Sequence, residues 1–268
     1  MHLVGSALSA DQELRTTKTG SYAENADTRN GKAAKVSSIA AQGKKPYARS
    51  DLWLRHNRIF FYVLTALLII SMIAVIPYLT YYGAITEEAF QYLESVLFSF
   101  LLTSVAMAYL LGKGMRIEEA LTQLGFSRKN LLRNILIGLF IFAIILTFEL
   151  IISLISSASG VEINTNVGMV LGGAPLAFLV FASIIGPINE EIFFRGFLTP
   201  RIGIFFSAVI FALLHASYDS SFAIEVIAAF VFGIIAGYAF KKTKSIYPSL
   251  VAHIIINTIA VLAFVVIL

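Results

Sequence analysis

The chain of 268 residues is 58% hydrophobic and only 13% charged, where a soluble domain carries about 25% charged residues. With a mean hydropathy of +0.82, this excludes an ordinary soluble enzyme and predicts a polytopic membrane protein. The net charge of +4 does not indicate a nucleic-acid partner, because the whole excess lies in residues 1–50 and the remainder balances.

Residues 1–50 are polar, rich in Ser, Ala, Gly, Asn and Lys, and contain no apolar signal-peptide core. They read as a disordered cytoplasmic tail, followed by one transmembrane domain over 51–268. Apolar runs able to cross a ~30 Å hydrocarbon core fall at 59–82, 95–112, 134–156, 174–198, 203–217, 223–240 and 246–267. The run at 203–217 is short, which predicts a helix buried among the others. Residues 115–132 mix Leu121, Leu124, Phe126 and Leu132 with charges and predict an amphipathic helix at the interface. The expected fold is all-α: a transmembrane helix bundle of about seven to eight spans with one interfacial helix.

Charge sets an orientation. Beyond the tail, Lys113, Arg116, Arg128, Lys129, Arg201, Lys241 and the other basic residues all fall on one side of a seven-span arrangement. The opposite loops carry Glu87, Glu88, Glu94, Glu162, Asp219 and Glu225 without Lys or Arg. The positive-inside rule therefore puts the N-terminus in the cytoplasm, and the expected location is the cell membrane of a prokaryote.

Within the fourth run lies Asn189-Glu190-Glu191-Ile192-Phe193-Phe194-Arg195. An ionisable residue inside a span costs at least ~2.5–3.5 kcal/mol and faces a cavity or a partner. Glu191 and Arg195 are four apart, so they share a helix face and can pair. Glu190 points ~100° away from Glu191 and is free to act. Gly186-Pro187 precedes the cluster, and a proline cannot donate to the carbonyl of residue 183, which loosens the helix there.

Two of the four histidines, His215 and His253, lie in later spans, and Asn257 sits one turn beyond His253. Counting 1.5 Å per residue from the basic boundaries, Glu190 and His253 lie ~15 and ~13 Å deep, and His215 and Asn257 ~20 Å deep. Each has a plainer reading. A lone membrane His or Asn is often interhelical glue, Glu191–Arg195 can be a clamp, and Glu190 a buried neutral acid. Glu149, midway along 134–156, either lines the same cavity or hydrogen-bonds as the neutral acid.

Absences narrow the chemistry. No histidine precedes a glutamate, so the H-E-x-x-H zinc motif is missing. There is no G-x-S-x-G elbow and no pair of membrane aspartates. With no cysteine, thiolate ligands, a cysteine nucleophile and lipidation through sulfur are also excluded.

Glu190-Glu191-x-x-x-Arg195, Phe211-x-x-x-His215 and His253-x-x-x-Asn257, in this order on successive helices, resemble the CPBP family of intramembrane proteases. That family comprises type II CAAX-prenyl endopeptidases and bacterial bacteriocin-processing or immunity (Abi) proteins. The resemblance covers a catalytic core at about 115–262. It implies an intramembrane endopeptidase cutting near the cytosolic face, with Glu190 and His215 activating water. His253 and Asn257 would stabilise the oxyanion, and Glu191 and Arg195 would hold the site.

Two imidazoles and a carboxylate also suit zinc. The cofactor stays open between no metal and a divalent ion on Glu190, His215 and His253. The expected partners are the lipid bilayer and a peptide with a membrane-associated or lipidated segment, of CAAX or leader-peptide type; oligomeric state is unread. The alternative is a non-proteolytic immunity or peptide-binding protein using the same cavity.

Overall fold

A computed structural model describes residues 48–159, 174–218 and 222–267, all helical but for short turns. The predicted tail, up to residue 47, lies outside the described residues, as do Glu162 and Asp219. The chain forms two units, Met1–Leu52 and Trp53–Leu268, and the site lies wholly in the second.

Helix α1 runs Ala48–Ile70, passes a π turn at Ser71–Val75 and ends with Ile76–Tyr81. Thr86 then starts α2 (Glu87–Gly112), its hydroxyl accepting from the Ala89 N–H at 3.2 Å. Glu87 and Glu88 in the first turn complement the helix dipole. A short α3 (Ile117–Gln123) leads to α4 (Leu131–Ala158).

Helix α5 joins Leu176–Val180, a π turn at Phe181–Ile185, Gly186–Glu191 and a second π turn at Ile192–Leu198. It continues into α6 (Thr199–Leu214) and a 3-10 turn at His215–Tyr218. Helices α7 (Phe222–Thr243) and α8 (Tyr247–Ile267) complete the bundle.

Five described helices are long and apolar enough to cross a membrane: Trp53–Tyr81, Glu87–Gly112, Leu131–Ile155, Leu176–Leu214 and Glu225–Thr243. Tyr247–Ala263 is a shorter apolar helix. The predicted runs 174–198 and 203–217 belong to one 39-residue stretch, Leu176–Leu214, broken at Gly203 with φ 87°. Glycine adopts that left-handed conformation without the Cβ penalty.

Beyond the break the chain folds back. Ser207 Oγ donates to the Phe194 carbonyl at 3.2 Å, Thr199 Oγ1 donates to Ser207 Oγ at 3.0 Å, and the Phe194 and Phe211 rings meet at 5.0 Å. Only one face of α6 is buried: Ser207, Ala208, Phe211 and Ala212 are inside, while Phe205, Phe206 and Leu213 are exposed. The run expected to form a helix buried among the others thus packs by one face and leaves the other exposed.

The predicted amphipathic segment 115–132 is also shorter than expected. Its helix stops where Gly125 turns left-handed (φ 94°), and residues from Leu131 onward already belong to α4. Ala120 and Leu124 are buried there, while Leu121 is exposed.

The bundle has two distinct ends. At one, Arg201 lies over the Tyr109 ring at 4.8 Å, Lys113 over the same ring at 5.5 Å, and the Ile246 N–H reaches the Gly125 carbonyl at 3.2 Å. This end gathers the basic junctions. At the other, Tyr92 meets Phe178 at 4.5 Å, close to Glu87, Glu88 and Glu94.

Candidate active site

The two π turns flanking Gly186–Glu191 set the site's local geometry. At the first, the Gly186 N–H bonds the Phe181 carbonyl, one residue further back than in an α-helix. In that register the Ala182 carbonyl looks to the N–H of residue 187, which is proline and has none. Asn257 supplies the missing donor: its Nδ2 donates to the Ala182 carbonyl at 3.0 Å. The carbonyl expected to be orphaned was that of residue 183; the π register moves the gap to Ala182. One polar tip of α8 is thereby bound to α5.

The adjacent carboxylates separate as their 100° offset requires. Glu191 is fully buried, with Oε2 3.1 Å from Arg195 Nε and Oε1 3.0 Å from His253 Nδ1. Arg195, also buried, stacks its guanidinium over Phe211 at 4.3 Å and Phe232 at 5.0 Å. Glu191 is therefore more than the partner of Arg195. It bridges α5 to α8 and orients the imidazole of His253, a link that i,i+4 counting on a single helix cannot reveal.

Glu190 turns to the other side. It is partly exposed in a cavity of about 320 Å³ whose lining includes Phe98, Ser99, Gly186, Glu190, His215 and Asn257. Its Oε2 lies 3.9 Å from His253 Nε2, and that atom is buried with no hydrogen-bond partner among the described residues. His215 Nδ1 stands 2.8 Å from the Phe211 carbonyl. Only a protonated Nδ1 can bond there, so in the neutral ring Nε2 keeps its lone pair.

One potential ligand atom from each of Glu190, His215 and His253 falls within 4.8 Å of the others. All six predicted site residues are thus brought together, though Asn257 stands on the cavity wall rather than in that three-residue cluster.

Sequence reasoning missed the contribution of α2. Thr103 Oγ1 donates to Asn189 Oδ1 at 2.6 Å, and Asn189 Nδ2 caps the Ile185 carbonyl at 3.1 Å. Ser95, Phe98, Ser99 and Leu102 of α2 form one cavity wall. No signal in the sequence sets Ser95, Ser99 and Thr103 apart from other small polar residues in an apolar span. Glu149, by contrast, is exposed on α4 and is not among the residues lining the cavity.

Comparison with known proteins adds an independent line. The family described as type II CAAX prenyl endopeptidase Rce1-like matches residues 172–259, a stretch that holds every residue of this cluster. The membrane-embedded CAAX protease MroQ of Staphylococcus aureus (strain USA300) is 24% identical over 230 residues, covering 79% of this chain and 89% of its own. The putative membrane peptidase YdiL of Bacillus subtilis (strain 168) is 33% identical over 101 residues, 35% of this chain and 39% of its own. From the same organism, the uncharacterized protein YpbD is 27% identical over 81 residues, 30% and 42% of the two chains. No solved structure matches.

Proposed function

We propose, for a chain that belongs to the CPBP family of intramembrane proteases, an endopeptidase that hydrolyses a peptide bond within the membrane using Glu190 as base. The observation that carries this reading is the Glu190 carboxylate, whose Oε2 is buried with no hydrogen-bond partner among the described residues, beside His253 and in one cluster with His215.

A water molecule accepted by the His215 Nε2 lone pair gives one proton to Glu190 as its oxygen attacks the scissile carbonyl carbon. The carbonyl π electrons move to oxygen, and the oxyanion meets donors from His253 Nε2 and the second N–H of Asn257. Collapse breaks the C–N bond, and Glu190 returns its proton to the departing amine. Since Nδ1–H of His253 is committed to Glu191, donation from Nε2 requires the doubly protonated ring.

The residues also fit a divalent ion such as zinc. Glu190, His215 and His253 would hold it, and both imidazoles have Nδ1 engaged elsewhere, as metal-binding histidines do. Such an ion, when bound, supplies Lewis-acid polarisation of the carbonyl and a more acidic water. Metal analysis of the purified chain beside Glu190→Gln and His215→Ala reads this directly: an equimolar ion lost in both variants supports it.

The substrate is a peptide or protein with a membrane-embedded or lipidated segment, and the enzyme sits in the cell membrane of a prokaryote with its N-terminus in the cytoplasm. The test is cleavage of a candidate substrate in membranes holding equal amounts of wild type, Glu190→Ala and His215→Ala. Removing the base lowers cleavage by about 10²–10⁴-fold; undiminished cleavage by either variant refutes the reading. Peptide capture that survives both substitutions without any cleavage supports the immunity-type alternative.

A further inference from the structure

Helices α6 and α7 touch and then part. A Cβ at Gly237 would stand 2.9 Å from Ile204 Cγ2, so the two helices are in close contact there. One turn further along α7, at Lys241, they border a void of about 330 Å³, within the range of small-molecule sites (about 300–1,000 Å³). Thr199, Pro200, Gly203 and Ile204 line it from the α5–α6 break, and Phe240, Lys241 and Lys244 from the end of α7. It shares no residue with the cavity around Glu190.

The charge of this void is one-sided. Two lysines line it and no carboxylate does, and neither lysine forms an ion pair among the described residues. The neighbouring cations are engaged elsewhere: Lys242 lies over the Tyr238 ring at 5.4 Å, and Arg201 stacks on Tyr109 and Phe197. A lysine in the last turn of a helix complements its dipole, which accounts for Lys241 and Lys242 alike. It does not account for the choice at Lys244, which follows α7 in the left-handed region at φ 55°. Glycine or asparagine is favoured there. The Lys244 N–H closes the helix on the Phe240 carbonyl at 2.8 Å, a cap that glycine makes without strain. Backbone geometry therefore gives no reason for a cation at this position.

We propose that this void holds the phosphate of an anionic phospholipid, with Lys241 and Lys244 clamping the headgroup and the acyl chains lying along the exposed face of α6. Ile202, Phe205 and Phe206 flank Gly203 and Ile204 in the chain and are exposed, an apolar surface beside the cationic one. Basic pockets between membrane helices suit lipid headgroups for this reason. A soluble phosphate would meet the same two ammonium groups but leave those three side chains without a contact. The site stands apart from the Glu190 cluster and does not depend on the hydrolase reading.

The test titrates the full-length chain in detergent with phosphatidylglycerol, phosphatidylcholine or inorganic phosphate and counts bound species by native mass spectrometry. One phosphatidylglycerol should bind in preference to phosphatidylcholine, and an equal concentration of inorganic phosphate should not displace it. Lys241→Gln combined with Lys244→Gly removes both cations and keeps a residue suited to the left-handed cap. This variant should weaken phosphatidylglycerol binding about 25-fold, roughly fivefold for each lysine. Its unfolding midpoint without lipid should match or exceed that of wild type, which separates lost binding from lost fold. Lys242→Gln removes the same charge outside the void and should leave binding unchanged. A comparable loss in Lys242→Gln reveals general attraction to a basic surface and overturns the site, as does equal binding of phosphatidylcholine. Phosphate that displaces the lipid with the same lysine dependence overturns the assignment to a lipid.

Discussion

Glu191 on α5 and Glu149 on α4 are the same residue type deep in two apolar helices, and the bundle treats them differently. Glu191 is fully buried between Arg195 and His253. Glu149 follows Ile145 by four residues and Ile141 by eight, both buried at 1–2% exposure, so helical spacing aims it inward too. It is nevertheless exposed. Periodicity carries the direction of a side chain but not whether a neighbour stands at its level. At Glu191 α8 brings His253; Glu149 has no place on the cavity wall.

The contrast can be tested from its strongest arm to its weakest. Glu191→Ala removes one partner of a buried charge set and leaves Arg195 uncompensated, so it should cost about 3–5 kcal/mol, read as a lower unfolding midpoint in detergent. If Glu191→Ala is as stable as wild type, the bridging role assigned to it is wrong. Asn257→Ala should lower kcat by about 10²–10³-fold through loss of an oxyanion donor. It also strips the Ala182 carbonyl of its donor, so a stability scan beside the kinetics separates the two roles.

Gly203→Ala forces a left-handed residue at the α5–α6 break and should destabilise by about 1 kcal/mol, with cleavage per folded molecule retained. Glu149→Gln should stay within about 0.5 kcal/mol of wild type and cleave normally. A large loss of cleavage there would show that Glu149 meets substrate and would erase the contrast.

Much of the site was legible because membrane helices make ionisable residues expensive. Glu190, Glu191, Arg195, His215, His253 and Asn257 stand out against apolar surroundings, and the 100° step between neighbours is enough to send the two carboxylates to different faces. The roles within the cluster were less legible. The i,i+4 rule pairs Glu191 with Arg195 and is blind to His253, 62 positions away. Pro187 announced a missing donor, but the π register decided which carbonyl lacked it and therefore why Asn257 stands where it does.

The wall formed by α2 was not legible, since Ser95, Ser99 and Thr103 resemble any small polar residues in a span. Nor was the break at Gly203, because hydropathy records apolar length and not the sign of φ.

The sequence by itself determined the membrane environment, the helical class and the identity of the costly polar residues, since each follows from local composition and the 1.5 Å, 100° step of a helix. Only the tertiary structure decided which polar groups meet, which carboxylate is held and which faces the cavity. Those depend on the level at which separate helices pack against one another, a relation between segments far apart in the chain that no single helix's pattern contains.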